Sequence, residues 1–315
     1  MATFEERVRR AMGNKAAGNE LLNRLGLPAT TGSIFYVDSV TGSNTTNDGL
    51  SSQFPLATVD AAINKCTANK GDVVIVMPKH AESFTAADGF DADVAGITIV
   101  GLGWGDFRPT FTFADTDATV AVGAASVRLS NLRFVGGISA VVVGVNVEAA
   151  GVACWIDNCE WYWGGTTGYD FIDSVILNGV ARPTIIDNRF LCEPAVAGAA
   201  RCIHMLGACS NTRIYRNEFM GDASVAYING TSALSQGVMV LDNLVHNTDA
   251  SEPYLEVLTG TTGVIAGTRG LASGATIAAN AVADAMAHCE NFVVNTTGTI
   301  AIVKGAGGSP ALDTD

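Results

Sequence analysis

Positive charge is scarce in this chain. Eighteen Lys and Arg stand against 31 Asp and Glu among 315 residues, for a net charge of −13. Such a body lacks the cations that displace counterions from a phosphate backbone, so nucleic acid is not expected as a partner. Charged residues of both signs amount to only 16%, which leaves much of the surface to packing or to contact with other chains. Long hydrophobic runs are also missing: no stretch of about 18 apolar residues occurs, and no membrane span is expected. The first residues, Met-Ala-Thr-Phe-Glu-Glu-Arg-Val-Arg-Arg, contain no apolar leader segment. The seven cysteines include no C-x-x-C pair, and their odd number and irregular spacing suit free, mostly buried thiols of a protein made in a reducing cytoplasm. Walker, G-x-S-x-G and dinucleotide-binding glycine motifs are absent, and no cofactor is expected.

What is present divides into three parts. Residues 1–33 read as a helical arm and linker. Phe4, Val8 and Met12 form one apolar stripe, Leu21, Leu22 and Leu25 a second, and Gly26-Leu27-Pro28 ends the helical pattern. One reading is a disordered tail; the reading preferred is an arm that docks on another protein. The segment carries five basic and three acidic groups up to residue 28, a net +2, which leaves −15 on the remainder. Residues 34–250 open with the strand Ile34–Asp38, a polar turn-rich stretch, and a short helix from Val59 to about Thr67 with Thr58 as N-cap. From about residue 94, short strands are cut by Gly, Asn, Asp and Thr, the mark of an all-β fold. Residues 251–315 read as a β-rich extension with a flexible tail, in which 278–288 is left as a short helix or a loop.

An aliphatic–x–Asn–x–apolar phrase recurs through the middle part. Its asparagines, Asn131, Asn158, Asn188, Asn217 and Asn243, lie 27, 30, 29 and 26 residues apart. A period in this range without internal helical periodicity indicates a solenoid of parallel β-coils. In Ile186-Asp187-Asn188-Arg189-Phe190 the alternation places Ile186 and Phe190 inward and Asp187 and Arg189 outward. Asn188 then falls at a bend, where its side chain can bond its counterparts in neighbouring coils as a stacked ladder. Excess residues, such as 163–169 and 194–200, go into loops.

The block Phe35-Tyr-Val-Asp, Gly42-Ser-Asn, Asn47-Asp-Gly-Leu, Pro55-Leu-Ala-Thr, Ala61-Ala and Lys70-Gly-Asp-Val-Val-Ile-Val, followed by Ile97-Thr-Ile-Val-Gly-Leu-Gly, resembles the opening of pectate-lyase-like right-handed parallel β-helix proteins, many of them structural proteins of phage and prophage virions. The resemblance covers roughly residues 34–250. It implies that the 58–67 helix caps the solenoid and that the chain forms a homotrimer; it is specific for the fold rather than the activity, and a non-enzymatic virion protein is the leading expectation. The expected role is capsid decoration, with the arm on the major capsid protein or another virion protein. The alternatives are a tailspike or secreted enzyme that binds or cleaves a polysaccharide, as a lyase or hydrolase, and a non-catalytic host-binding fibre, with a surface glycan as partner.

Candidate chemistry is sparse. If the chain is an enzyme, Asp157, Asp187 and Glu193 are the first acid–base candidates, because carboxylates on adjacent coils can approach glycosidase separations of about 5–10 Å. The competing reading is a solvated outer face neutralised by Arg189 and Arg216. Asp157, Asp187 and Asp242 are read as sharing one outward position. Trp161, Tyr162 and Trp163, with Trp155 nearby, form the one dense aromatic cluster and suit a subunit interface or a sugar platform, although Trp161 also fits as an inward residue in place of Phe. His80-Ala-Glu82 lacks the second half of a zinc deaminase motif, and Cys202, His204 and Cys209, the first two expected on one strand face, lack a second pair to complete a site, so no metal is assigned.

Overall fold

The computed structural model describes residues 15–24, 26, 29–86, 88–194, 199–248, 253–272, 281–282, 286–289, 291–295 and 300–302. The chain is an all-β parallel solenoid. Three sheets run its length, of ten, ten and eight strands. One coil shows the plan: Trp155–Asp157 in sheet 1, Glu160–Tyr162 in sheet 2 and Phe171–Leu177 in sheet 3. The next coil repeats it with Thr184–Ile186, Arg189–Leu191 and Ala199–Met205, in parallel register. The described strand pairs are parallel, apart from Phe292–Asn295 with Ile300–Ile302. The coils run on past residue 250: Leu255–Val257, Gly263–Ala266 and Arg269–Ala272 extend all three sheets. Within 278–288 the described segments are strands, Ala281–Val282 and Met286–Cys289.

Identical positions stack, so the core is built of columns. Sheet 1 contributes Val74, Ile99, Leu129, Ile156, Ile185, Ile214, Val240 and Ile265, all fully buried. Sheet 2 contributes Phe111, Phe134, Trp161, Phe190 and Phe219, with successive ring centroids 5.9, 5.2, 4.6 and 5.0 Å apart. The inward pair of the repeated phrase is therefore Ile185 and Phe190. Ile186 lies outside the core cluster, contrary to simple alternation, because the chain turns between it and Phe190.

Two helical segments frame the first coils. Helix α1, residues 15–24, lies on the outer face of sheet 1. Leu22 is only 1% exposed and packs with Ile34, Tyr36, Val73, Ile75 and Val100, with Leu21 at the margin. Gly18 permits the approach, since a Cβ there would lie 2.6 Å from Ile34 Cδ1. The linker folds back through paired Asn19–Thr30 hydrogen bonds. Leu22 is thus buried against the chain's own sheet, with Leu21 half-buried beside it. Phe4, Val8, Met12 and Leu25 lie outside the described residues. Helix α2, Val59–Ile63, is capped by the Thr58 hydroxyl and packs Val59, Ala62 and Ile63 into the core. It touches the strands Ile34–Val37, Val73–Val76 and Asp88–Asp91 and so covers the end of the first coils. It ends four residues sooner than the pattern to Thr67 suggested: Asn64 takes the Asp60 carbonyl with both its backbone and side-chain N–H, and tighter turns carry Lys65 and Cys66.

Candidate functional site

The polar residues on the solenoid form columns of their own. Sheet 1 passes to sheet 2 through a single left-handed residue in successive coils: Asn131, Asn158, Asp187, Arg216 and Asp242, with φ between 49° and 57°, and then Gly267. The residue after each points inward, and there the amide ladder forms. Asn188 Nδ2 donates to Asn217 Oδ1 at 3.0 Å and Asn217 Nδ2 to Asn243 Oδ1 at 3.2 Å. Each oxygen also accepts the backbone N–H of the preceding rung, and each amide donates to a carbonyl of sheet 1: Ile156, Ile185 or Ile214. Cys159 N–H bonds Asn188 at one end, and Asn291 resumes the pattern with Thr268. Three of the five asparagines named from the sequence are rungs. Asn131 and Asn158 stand one position earlier: Asn131 donates to the Gly101 and Gly103 carbonyls, and Asn158 to Asp157. The 30-residue step from Asn158 to Asn188 held the signal, since the strands on either side are 29 apart.

The proposed acids fall into different environments. Asp157 is 2% exposed on a sheet 1 strand, not in the turn column of Asp187 and Asp242. It accepts two bonds from Arg128, at 2.7 and 2.9 Å, and one each from Ser130 and Asn158. Asp187 is held at 2.8 Å by both Arg216 Nε and Nη2. On sheet 2, Glu160 meets Arg133 at 2.8 Å and Arg189 at 3.4 Å, and Arg189 meets Glu218 at 2.7 Å. Asp242 lines a shallow groove of about 540 Å³ with Arg216, Glu218, Leu244 and Arg269. Glu193 is buried at the corner between sheets 2 and 3, where its carboxylate accepts the Gly168 N–H at 2.7 Å and its own N–H donates to Asp170. Burial pushes Asp170 up to about 6, with Glu193 adding to the effect. The structure does not bring Asp157, Asp187 and Glu193 together as one acid–base set: they sit in a strand, a turn and a buried corner.

Trp161 is a core residue between Phe134 and Phe190 and is not available at the surface, because the sheet 2 column requires an inward aromatic there. Tyr162 and Trp163 are half-buried, with Arg133 4.8 Å from the Tyr162 ring. Among the described side chains, the most exposed aromatics are elsewhere, Trp104 at 78% and Phe107 at 54%, on the turn around Gly105–Phe107. No clustering in the sequence marked them.

One constellation escaped the sequence reading. On the outer face of sheet 3, Asp173 accepts Arg201 at 3.0 and 3.3 Å and contacts His204 Nδ1 at 3.1 Å. Asp173 and His204 are both 6% exposed. Cys202 does not share that face. Both Cys202 and Ile203 enter the core cluster, which breaks alternation and turns His204 outward. His80 bonds Glu82, whose carboxylate also accepts the first N–H of α2, a structural use of that pair. Among the described residues, no three His, Cys, Asp or Glu side chains converge as metal ligands.

No family model matches this chain, and no curated protein matches it. A solved rhamnogalacturonan lyase is similar at 14% identity with a TM-score of 0.40, over 84% of this chain and 66% of its own, so the chain spans just under two thirds of that enzyme's length. At that score, no activity or residue role passes from one chain to the other.

Proposed function

We propose that this protein is a non-catalytic structural component of a phage particle, a decoration protein held on the capsid through residues 1–14. The observation that carries the reading is the pairing of outward arginines with carboxylates of neighbouring coils. Arg128–Asp157, Arg133–Glu160–Arg189–Glu218 and Asp187–Arg216 each bridge successive coils. Carboxylates so engaged hold coils together and are poor proton carriers. The resemblance of the 35–76 block to virion β-helix proteins supports the setting. Because Leu22 anchors α1 to sheet 1, attachment falls to Phe4, Val8 and Met12, and the particle-bound form is a homotrimer. Co-sedimentation with particles lacking this protein tests it. The full chain pellets in many copies, and a chain lacking residues 1–14 stays in solution; equal pelleting of both, or of neither, rejects the assignment. Sedimentation velocity checks the trimer.

The Asp173–His204 pair favours a second reading, a protein that cleaves a surface polysaccharide, since a carboxylate bonded to Nδ1 fixes the ring so that Nε2 can serve as a base. Depolymerisation of acidic polysaccharides by the full chain, lost in His204→Ala, would establish it.

A further inference from the structure

Cys192 follows the sheet 2 strand Arg189–Leu191, and Cys202 lies within the sheet 3 strand Ala199–Met205 of the same coil. Their sulfurs are 3.5 Å apart inside the core. We propose that Cys192 and Cys202 are a latent disulfide, formed when the folded chain meets a small peroxide outside a reducing compartment, which staples sheet 2 to sheet 3 across one coil.

The geometry needs little change. A disulfide bond is about 2.05 Å long, so the sulfurs must close by roughly 1.5 Å, within reach of side-chain rotation. Among the described side chains, no other pair of cysteine sulfurs makes such a contact. The reaction balances with hydrogen peroxide alone. One thiolate attacks a peroxide oxygen to give a sulfenic acid, and the leaving hydroxide becomes water. The second thiol attacks the sulfenic sulfur and expels a second water. Two thiols and one peroxide thus yield one disulfide and two waters.

The surroundings set the rates. The contact with Cys202 and burial hold Cys192 well above its ordinary thiol range, and Asp170 and Asp222 oppose its ionisation further. Cys192 thiolate is therefore rare, and the burial of both sulfurs slows attack on peroxide further. The same environment protects the product. An external thiol must reach a buried bond, and attack at the Cys202 sulfur must expel the Cys192 thiolate, which its neighbours disfavour and which therefore leaves slowly. The staple forms slowly and, once formed, resists reduction. This goes beyond the structural role proposed above and does not depend on it.

The test uses the full-length protein, purified reduced and treated with hydrogen peroxide, then unfolded in an alkylating agent and digested with trypsin. Cleavage after Arg189, Arg201 and Arg213 gives the peptides 190–201 and 202–213. The expected result is a cross-link between them, retained in Cys209→Ser and lost in Cys202→Ser, with five of the seven cysteines still alkylated. The oxidised protein melts at least about 2 °C higher than the reduced one. Its cross-link survives an amount of glutathione that reduces the same bond in the unfolded chain. Seven alkylatable thiols after peroxide, a bond through Cys209, or a lower melting temperature on oxidation would each overturn the proposal.

Discussion

The amide of Asn217 does more than fill a turn. It joins the rungs on both sides and the Ile185 carbonyl, all out of water. Asn217→Ala strands the Asn188 donors and that carbonyl, and the expected loss is about 2–4 kcal/mol, set by leaving buried polar groups unpaired. Asn158→Ala, at an exposed turn with one bond to Asp157, should cost under about 1 kcal/mol beyond its left-handed strain. Urea unfolding of the two variants separates ladder from turn; equal losses would contradict the register described above. Asp170 gives a pH signature. Its folded-state value, about 6, lies above the ordinary carboxylate value of about 3.8. Between those values the folded protein holds more proton than the unfolded chain, so this group's stabilising contribution is whole below about pH 4 and is lost as pH rises through 6. Subtracting the urea midpoints of Asp170→Asn from those of the unchanged protein at pH 4–7 should show that fall. A flat difference would mean that Asp170 ionises normally. At this scale the sequence exposed the recurring Asn but not its register. Asn suits both a left-handed turn and a buried ladder, so two adjacent columns read as one. Trp161 was open to two readings for a related reason, because a period-2 pattern does not say which neighbour carries the interior when turns are two residues long.

Elements tell a similar story. The solenoid was legible because its repeat period, its short strands and its lack of helical periodicity agree. The role of α1 was not, because an amphipathic stripe announces that a helix must dock without naming where. Leu22 resolves it, packed against five side chains of the first coils. Leu22→Ala should cost about 2–4 kcal/mol through the cavity it leaves. It should also raise amide exchange in Ile34–Val37 and Val73–Val76. Unchanged exchange there would mean that α1 is dispensable to sheet 1. The Asp173–Arg201–His204 cluster was hidden for a different reason: it joins two coils at a point where strict alternation fails, and neither coil alone carries the pattern. By contrast, Arg189 sits on an exposed ladder with Glu160 and Glu218. Arg189→Ala should change stability by no more than about 1 kcal/mol, since water and salt screen such pairs, and a thermal melt checks it.

For the whole molecule, stability in a solenoid is a sum of coil and nearest-neighbour terms. The inner columns of Ile, Phe and Asn and the outer Arg–carboxylate columns both act between neighbours, so most of the recognisable chemistry of the sequence serves stacking. That leaves residues 1–14, with Phe4, Val8 and Met12 on one stripe, as the segment proposed to bind the particle. The most direct test is a cryo-EM reconstruction of particles saturated with the full chain. The account predicts solenoid density in threefold groups at symmetry-related capsid positions, each joined to the shell by the end nearest α1 and α2. Density at the tail alone, or contact with the shell through the last coils, would contradict it.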